Sequence, residues 1–184
     1  IDPFRDFSVV LDYWLIDQTN LVGFSLEEMT RAESKGVNPA DFGVTVTRDA
    51  NQNIVSVQGP TLNLSDRIQS GIDFGLNYRF GTDIGRFVVG NNYSYTFNRE
   101  VEGFPGAGKR DFIDEYGAPK WRNSLSLTYV PSAEHAITFA VNSTAGTLDF
   151  ARDGRIPTYS QLDISYNTTS LWKGSVLTVG VKNV

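Results

Sequence analysis

The sequence predicts an all-β protein built from antiparallel strands, and three observations support this fold class. Apolar and polar residues alternate in several windows, short turn-like links join these windows in pairs, and the composition suits strands. Aromatic residues make up 12% of the chain and hydrophobic residues 40%, with 17 glycines, which favours many short strands and turns over a helical bundle. No shift in composition divides the 184 residues, so we expect one domain, residues 1–184.

The clearest strand covers residues 71–80, where every second residue is apolar and the residues between are Gly, Asp, Asn or Arg. Residues 86–97 repeat the pattern, with Phe87 and Tyr95 on one side and Asn92 and Ser94 on the other. The link from Gly81 to Gly85 is short and rich in turn residues, so we expect a tight hairpin. Each strand therefore has one apolar and one polar face.

Two further hairpins and one more strand follow from the same alternation. The second hairpin joins 121–129 to 137–141 through a turn at 130–133, and the third joins 161–167 to 177–181 through a short link at 172–174. Residues 7–16 form a less regular strand, because Val10, Trp14 and Ile16 interrupt its polar side.

The links between hairpins are long, polar and rich in Gly, Pro and Asp, notably residues 98–118 and 143–157. Outer-membrane β-barrels alternate short periplasmic turns with long extracellular loops. We therefore expect an antiparallel transmembrane β-barrel segment of about seven membrane strands, fewer than a large closed barrel needs.

The longest insertion, residues 21–62, carries local structure of its own. Ser25 and Glu28 have the spacing of a capping box that opens a short helix, and Gly36 is suited to ending it. Residues 44–48 and 54–58 flank a polar turn, which predicts a small hairpin on the extracellular side.

Aromatic residues near the predicted strand ends suggest the two girdles typical of membrane barrels, although strand ends in other β proteins also carry aromatics. The lower level would hold Phe80, Phe87, Tyr129, Tyr166 and Trp172. The upper level would hold Tyr95, Phe97, Trp121 and Tyr159.

Composition excludes several functional classes. The net charge is −5 and the 16 Lys and Arg are scattered, which argues against a nucleic-acid partner. No window approaches the ~20 apolar residues of a membrane helix. With no Cys and a single His, neither a zinc site nor a nucleophilic triad can be assembled within this segment. We expect no metal site, no cofactor and no enzyme activity.

Two groups of polar residues are candidates for ligand contact. The first group lies in the loop at 98–118 and could bind a cation or a polar ligand: Asp111, Asp114, Glu115 and Tyr116. The alternative is that these are ordinary solvent-exposed loop residues. Four residues are expected to face the lumen and to pair with a plug or with each other: Asp73, Asn77, Arg79 and Arg122.

One glycine-rich segment resembles a phosphate-binding loop. Residues 103–109 match its Gly and Lys spacing, but Arg110 stands where Ser or Thr should supply the magnesium ligand. A glycine-rich surface loop is the favoured interpretation.

Several stretches together resemble the C-terminal half of TonB-dependent receptors, and the likeness spans nearly the whole chain. The stretches are Phe7–Trp14, Thr61–Leu64, Ser70–Phe74, Tyr159–Tyr166 and Gly180–Val184. In that family an Asn followed by Gly-Ile-Asp opens a barrel strand, and Val-x-Asn-Leu precedes the final strand. Each motif is short, so the resemblance depends on their order and spacing.

The resemblance implies a barrel of about 22 strands closed by an N-terminal plug. It implies TonB-driven uptake of siderophore iron, cobalamin, a saccharide or a peptide across the bacterial outer membrane. The partners would be lipid, the plug of the same chain, the TonB complex and an extracellular ligand bound in the long loops. The chain starts without Met or a signal peptide and shows no plug or final strand, so we expect a longer parent protein.

Two alternatives remain at this point. A passive porin or structural barrel would share the membrane strands but lack a plug. A secreted β-sandwich, either an adhesin or a carbohydrate-active protein, would bury its apolar face against a second sheet.

Overall fold

The computed structural model describes residues 6–22, 25–60, 63–115, 117–149 and 154–183, with the side chains of 64 and 65 outside this set. Within these residues the chain is all-β, with one α-helix and one 3₁₀ helix. The helices are α1, Leu26–Ser34, and the 3₁₀ helix, Pro39–Phe42. The strands are β1 Phe7–Val22, β2 Thr45–Arg48, β3 Ile54–Gln58, β4 Asn63–Thr82, β5 Gly85–Glu102, β6 Arg110–Asp111, β7 Trp121–Ser132, β8 His135–Thr144, β9 Thr147–Asp149, β10 Gly154–Ile156, β11 Tyr159–Thr168 and β12 Leu177–Val181.

The main sheet is antiparallel and follows the order β1-β4-β5-β7-β8-β11-β12, with β6 paired to β5 off this path. The seven strands on this path are those that the alternation of residues predicts. The two strands of each predicted hairpin, β4–β5, β7–β8 and β11–β12, are neighbours in the sheet. The all-β, antiparallel prediction is therefore confirmed. No helix among the described residues has both the length and the apolar character needed to cross a membrane.

The chain divides into two compact units. The sheet unit comprises Ile1–Trp14, Gly71–Phe97 and Ile113–Val184, and the insertion unit comprises Leu15–Ser70 and Asn98–Phe112. Composition is uniform across both units, so it does not show where contacts cluster, and the expectation of one domain stays a prediction.

Register across the sheet unit separates two faces. One row that crosses five strands is wholly apolar: Val89, Leu127, Phe139, Ile164 and Val181. The adjacent row, one residue along, is small or polar: Gly90, Ser126, Ala140, Asp163. Because side chains alternate across a pleated strand, these rows define an apolar face and a polar face of the sheet.

The turns at one end of the sheet differ in how closely they follow the prediction. Thr82 ends β4 and Gly85 begins β5, so the expected tight hairpin is confirmed, with Gly85 at φ 139°. The predicted turn at 130–133 is partly wrong, because β7 continues to Ser132 and its register shifts between Tyr129 and Ser132. Pro131 lacks an amide hydrogen for the ladder, which explains the irregularity. The third link is longer than predicted and spans 169–176.

The two long loops contain more regular structure than the sequence predicts. β5 extends to Glu102 and pairs with β6, and residues 147–156 hold the antiparallel hairpin of β9 and β10. These short strands were not predicted from the sequence. Strands of two or three residues are too short to show a periodic pattern.

The insertion unit contains the predicted helix and hairpin. The Gly36 N–H donates to Glu33 O at 2.9 Å and the Val37 N–H to Ala32 O at 3.1 Å, which is a Schellman motif, and Gly36 supplies its positive φ of 90°. The predicted capping box is wrong, because the Ser25 side chain makes no capping hydrogen bond. Glu28 instead pairs with Arg31 on the next turn of α1.

The hydrophobic core lies in the insertion unit. Five buried residues form it: Met29, Ala32, Val44, Phe104 and Ala107. Phe104 comes from the glycine-rich loop and packs edge-on against Phe42 with ring centroids 5.3 Å apart. The loop is therefore anchored by a buried aromatic side chain as well as by its glycines.

Candidate functional site

A pocket of about 690 Å³ opens on the polar face of the sheet unit. Its lining comes from β1, β4, β5, β7 and β8, because register brings polar residues of these strands side by side. Its polar lining includes Asp12, Asp73, Asn77, Asn92, Ser94, Arg122, Ser124, Asn142 and Thr144, and Tyr93, Asn123 and Ser143 also line it. Two carboxylates, one guanidinium and several amides and hydroxyls thus surround one space.

Hydrogen bonds hold part of this lining in position. Ser94 Oγ donates to Asp73 Oδ1 at 2.5 Å, and Ser124 Oγ donates to Asn142 Oδ1 at 2.8 Å. Thr128 and Thr138 share a hydrogen bond of 2.9 Å lower on the same face. The bonds from Ser94 and Ser124 orient the Asp73 carboxylate and the Asn142 amide. Neither bond uses the second carboxylate oxygen of Asp73.

Asp12 and Arg122 bring opposite charges to the pocket. Neither side chain has a hydrogen bond or an ion pair with another residue in the described part of the chain, and both residues are exposed. A carboxylate accepts hydrogen bonds and a guanidinium donates up to five, so the pair offers both kinds of contact to a ligand.

Trp14 lies beside the pocket on the same face. A Cβ atom on Gly71 would overlap the indole ring, with Trp14 Cε2 2.7 Å away, so the absence of a side chain at 71 makes room for the ring. Trp14 follows Asp12 by two residues and is half-buried, which leaves part of the ring accessible. The irregular alternation of β1 therefore has a structural reason, since Trp14 covers Gly71.

Three of the four residues predicted to face the lumen meet in the pocket. Asp73, Asn77 and Arg122 line it together, and Arg79 lies in an adjoining depression of about 460 Å³ with Asp6 and Asn77. Sequence reasoning missed Asp12, Asn92 and Asn142, because only the pairing of strands shows that they are neighbours of Asp73 and Arg122. The alternation pattern did assign Asn92 to a polar face.

The loop candidates are distributed over the two units. Asp111 belongs to the insertion unit, where its Oδ1 accepts the Arg99 N–H at 2.9 Å. Asp114 and Glu115 belong to the sheet unit, in a turn where the Asp114 N–H donates to Ala118 O at 3.0 Å. Tyr116 lies outside the described residues.

The glycine-rich segment at 103–109 is filled by the protein itself. Glu102 Oε1 accepts the N–H groups of Gly106 and Gly108, each at 3.0 Å. A phosphate-binding loop directs such N–H groups at its ligand, so an internal carboxylate occupies the role of the anion. This arrangement agrees with the interpretation as a glycine-rich loop.

His135 begins β8 and contacts Tyr166, with Nδ1 2.7 Å from the phenol oxygen. Among the described residues, no group of three or more His, Asp or Glu has the geometry to hold a metal ion.

Comparisons with models of known protein families, with curated proteins and with solved structures find no match for this chain.

Proposed function

We propose that this chain is part of the membrane barrel of a TonB-dependent receptor, which imports a scarce nutrient across the bacterial outer membrane. The observation that carries the proposal is the exposure of the apolar face of the sheet unit. Leu127 is 39% exposed, Phe139 41% and Val181 60%, although all three belong to one apolar row. Soluble monomers rarely expose apolar patches beyond roughly 300–600 Å².

Lipid is the partner that suits this face. Burying one such side chain stabilises a protein by about 1.5–3 kcal/mol, and acyl chains supply that burial for every strand at once. The opposite face carries Asp73, Arg122 and the hydrogen-bonded Ser and Asn pairs, which suits a water-filled interior.

Aromatic residues support the same orientation. Tyr78, Phe80, Phe87 and Tyr129 stack in a continuous row, with successive ring centroids 5.0, 5.3 and 4.9 Å apart. Near the other end of these strands, Tyr95 pairs with Trp121 and contacts Phe97. Two aromatic levels on one apolar face are typical of the membrane interfaces.

Tyr159 does not share that face. Its register partner is Thr144, which is opposite Arg122 on the polar face, so its assignment to the upper girdle was wrong. Tyr159 is an odd number of residues from Leu162 and Ile164, so the alternation within β11 itself places it on the opposite side of the strand.

The proposal is tested on the full-length protein in its native bacterium. We expect it in the outer-membrane fraction, as a band whose electrophoretic migration changes on heating. We also expect that removing it, or removing TonB, abolishes uptake of the same scarce nutrient. Uptake that persists without TonB would indicate a passive porin, and recovery of the protein in the soluble fraction without detergent would refute a membrane barrel.

A further inference from the structure

We infer that the pocket on the polar face binds a neutral saccharide. The inference rests on the proposed function, since it treats this face as the inward wall of the barrel, and it adds the substrate class. The site lies wholly within the sheet unit.

The mixture of polar groups suits a polyhydroxylated ligand. Asn77, Asn92 and Asn142 each present a donor and an acceptor on one planar group, and so match neighbouring hydroxyls that both donate and accept. Asp73 already accepts a hydroxyl hydrogen bond from Ser94 at 2.5 Å, which shows the geometry that a sugar hydroxyl would use at its other oxygen.

Charge disfavours an anionic ligand such as a phosphate or a deprotonated iron chelate. Asp12 and Asp73 bring two negative charges to the pocket and Arg122 brings one positive charge. A neutral polyol can donate to both carboxylates and accept from the guanidinium without adding a further negative charge to the pocket.

Trp14 supplies the apolar contact that a sugar ring needs. A pyranose has hydroxyls around its rim and C–H groups on its faces, and those faces stack on flat aromatic rings. Trp14 is about 7 Å along β1 from Asp12, on the same face of the strand. A sugar unit resting on the indole would therefore direct its hydroxyls towards Asp12 and Asp73.

Binding is measured with the full-length protein in detergent, by calorimetry with maltopentaose, cellopentaose and xylopentaose as separate probes. We expect saturable binding of at least one probe and quenching of tryptophan fluorescence. Arg122→Gln and Asp12→Asn should each weaken that binding by roughly 10-fold to 100-fold, as expected for hydrogen bonds to charged groups. Trp14→Phe should retain binding but abolish most of the fluorescence change.

Arg86→Gln is the matched control, because Arg86 lies on the same polar face at the far end of β5 and does not line the pocket. Its affinity should equal that of the unchanged protein, and heat-modifiable migration verifies that each variant is folded. Equal weakening by Arg86→Gln and Arg122→Gln would overturn the site.

The two proposals fail separately. A folded, TonB-dependent outer-membrane protein that binds none of the three probes, or that binds the dipeptide Ala-Ala in their place, overturns the saccharide inference alone. A protein found in the soluble fraction that still binds a probe through Arg122 overturns the membrane proposal and supports the saccharide site.

Discussion

The two units of this chain treat apolar residues in opposite ways. In the insertion unit, Met29 and Phe104 are fully buried, as in an ordinary water-soluble core. In the sheet unit, Leu125, Phe139 and Val179 remain between 41% and 57% exposed on a face made almost entirely of such residues. A single chain thus combines one region that buries its large apolar side chains with another that leaves many of them exposed.

The largest predicted effect concerns the core of the insertion unit. Phe104→Ala leaves a cavity among Met29, Val44 and Phe42, and should destabilise this unit by about 3–5 kcal/mol. Hydrogen exchange on the full-length protein should show lost protection in α1 and β2. Protection in β7 and β8 should stay unchanged, and equal loss in both units would refute their separate stability.

A charge on the apolar face distinguishes lipid from water as the partner of the sheet unit. Leu127→Arg should reduce the stability of the protein folded in lipid vesicles by about 2–4 kcal/mol if this face meets acyl chains. Ala140→Arg, on the polar face of the adjacent strand, is the matched control and should change stability by less than half as much. Urea unfolding in vesicles measures both, and equal costs would contradict the assignment of the faces.

Close packing in the sheet unit occurs on its polar face, at Gly71. Gly71→Ala would bring a methyl group against the Trp14 indole and 2.5 Å from Tyr95 O, so we expect a loss of about 1–3 kcal/mol. Gly81→Ala in the same strand meets nothing within 4 Å and should be tolerated. Thermal unfolding of the two variants provides the comparison, and a tolerated Gly71→Ala would show that Trp14 can move aside.

The smallest effect is a pH dependence of the turn at Asp49 in the insertion unit. The side chain and backbone of Asn53, with the backbone of Asn51, donate to the Asp49 carboxylate and hold its pKa below the usual value of 3.8 for Asp. A lowered folded pKa stabilises the turn above pH 3.8, and the contribution disappears as pH falls through the folded value.

The check on this turn is the amide proton shift of Asn51 and Asn53, followed from about pH 6 to about pH 2. Asp49→Asn keeps an acceptor oxygen but cannot titrate, so its shifts should remain constant in that range. Equal pH dependence in the variant would contradict the role of Asp49.

Sequence reasoning succeeded where a pattern is long and local. β4 and β5 were predicted from alternation alone, since one polar and one apolar face impose a period of two over many residues. The β2–β3 hairpin followed from Asp49 and its polar turn. The bulge at Pro131 and the β9–β10 hairpin were missed because they depend on a neighbouring strand or are too short to show a period.

The candidate site was only partly predictable for the same reason. Asp73, Asn77 and Arg122 were assigned to the polar face from their own strands, and all three line the pocket. Asp12 and Trp14 were not included, because β1 is far from β4 in sequence and its alternation is broken by the side chain that covers Gly71.

The sequence by itself determined where the long strands lie and which side of each is apolar, because these properties depend on neighbours within a few positions. Only the tertiary structure decided which strands lie side by side, that Phe104 completes a core with α1, and that Asp12, Asp73 and Arg122 share one pocket. Register between distant strands depends on the summed contacts of whole faces, and no single segment of the chain contains that information.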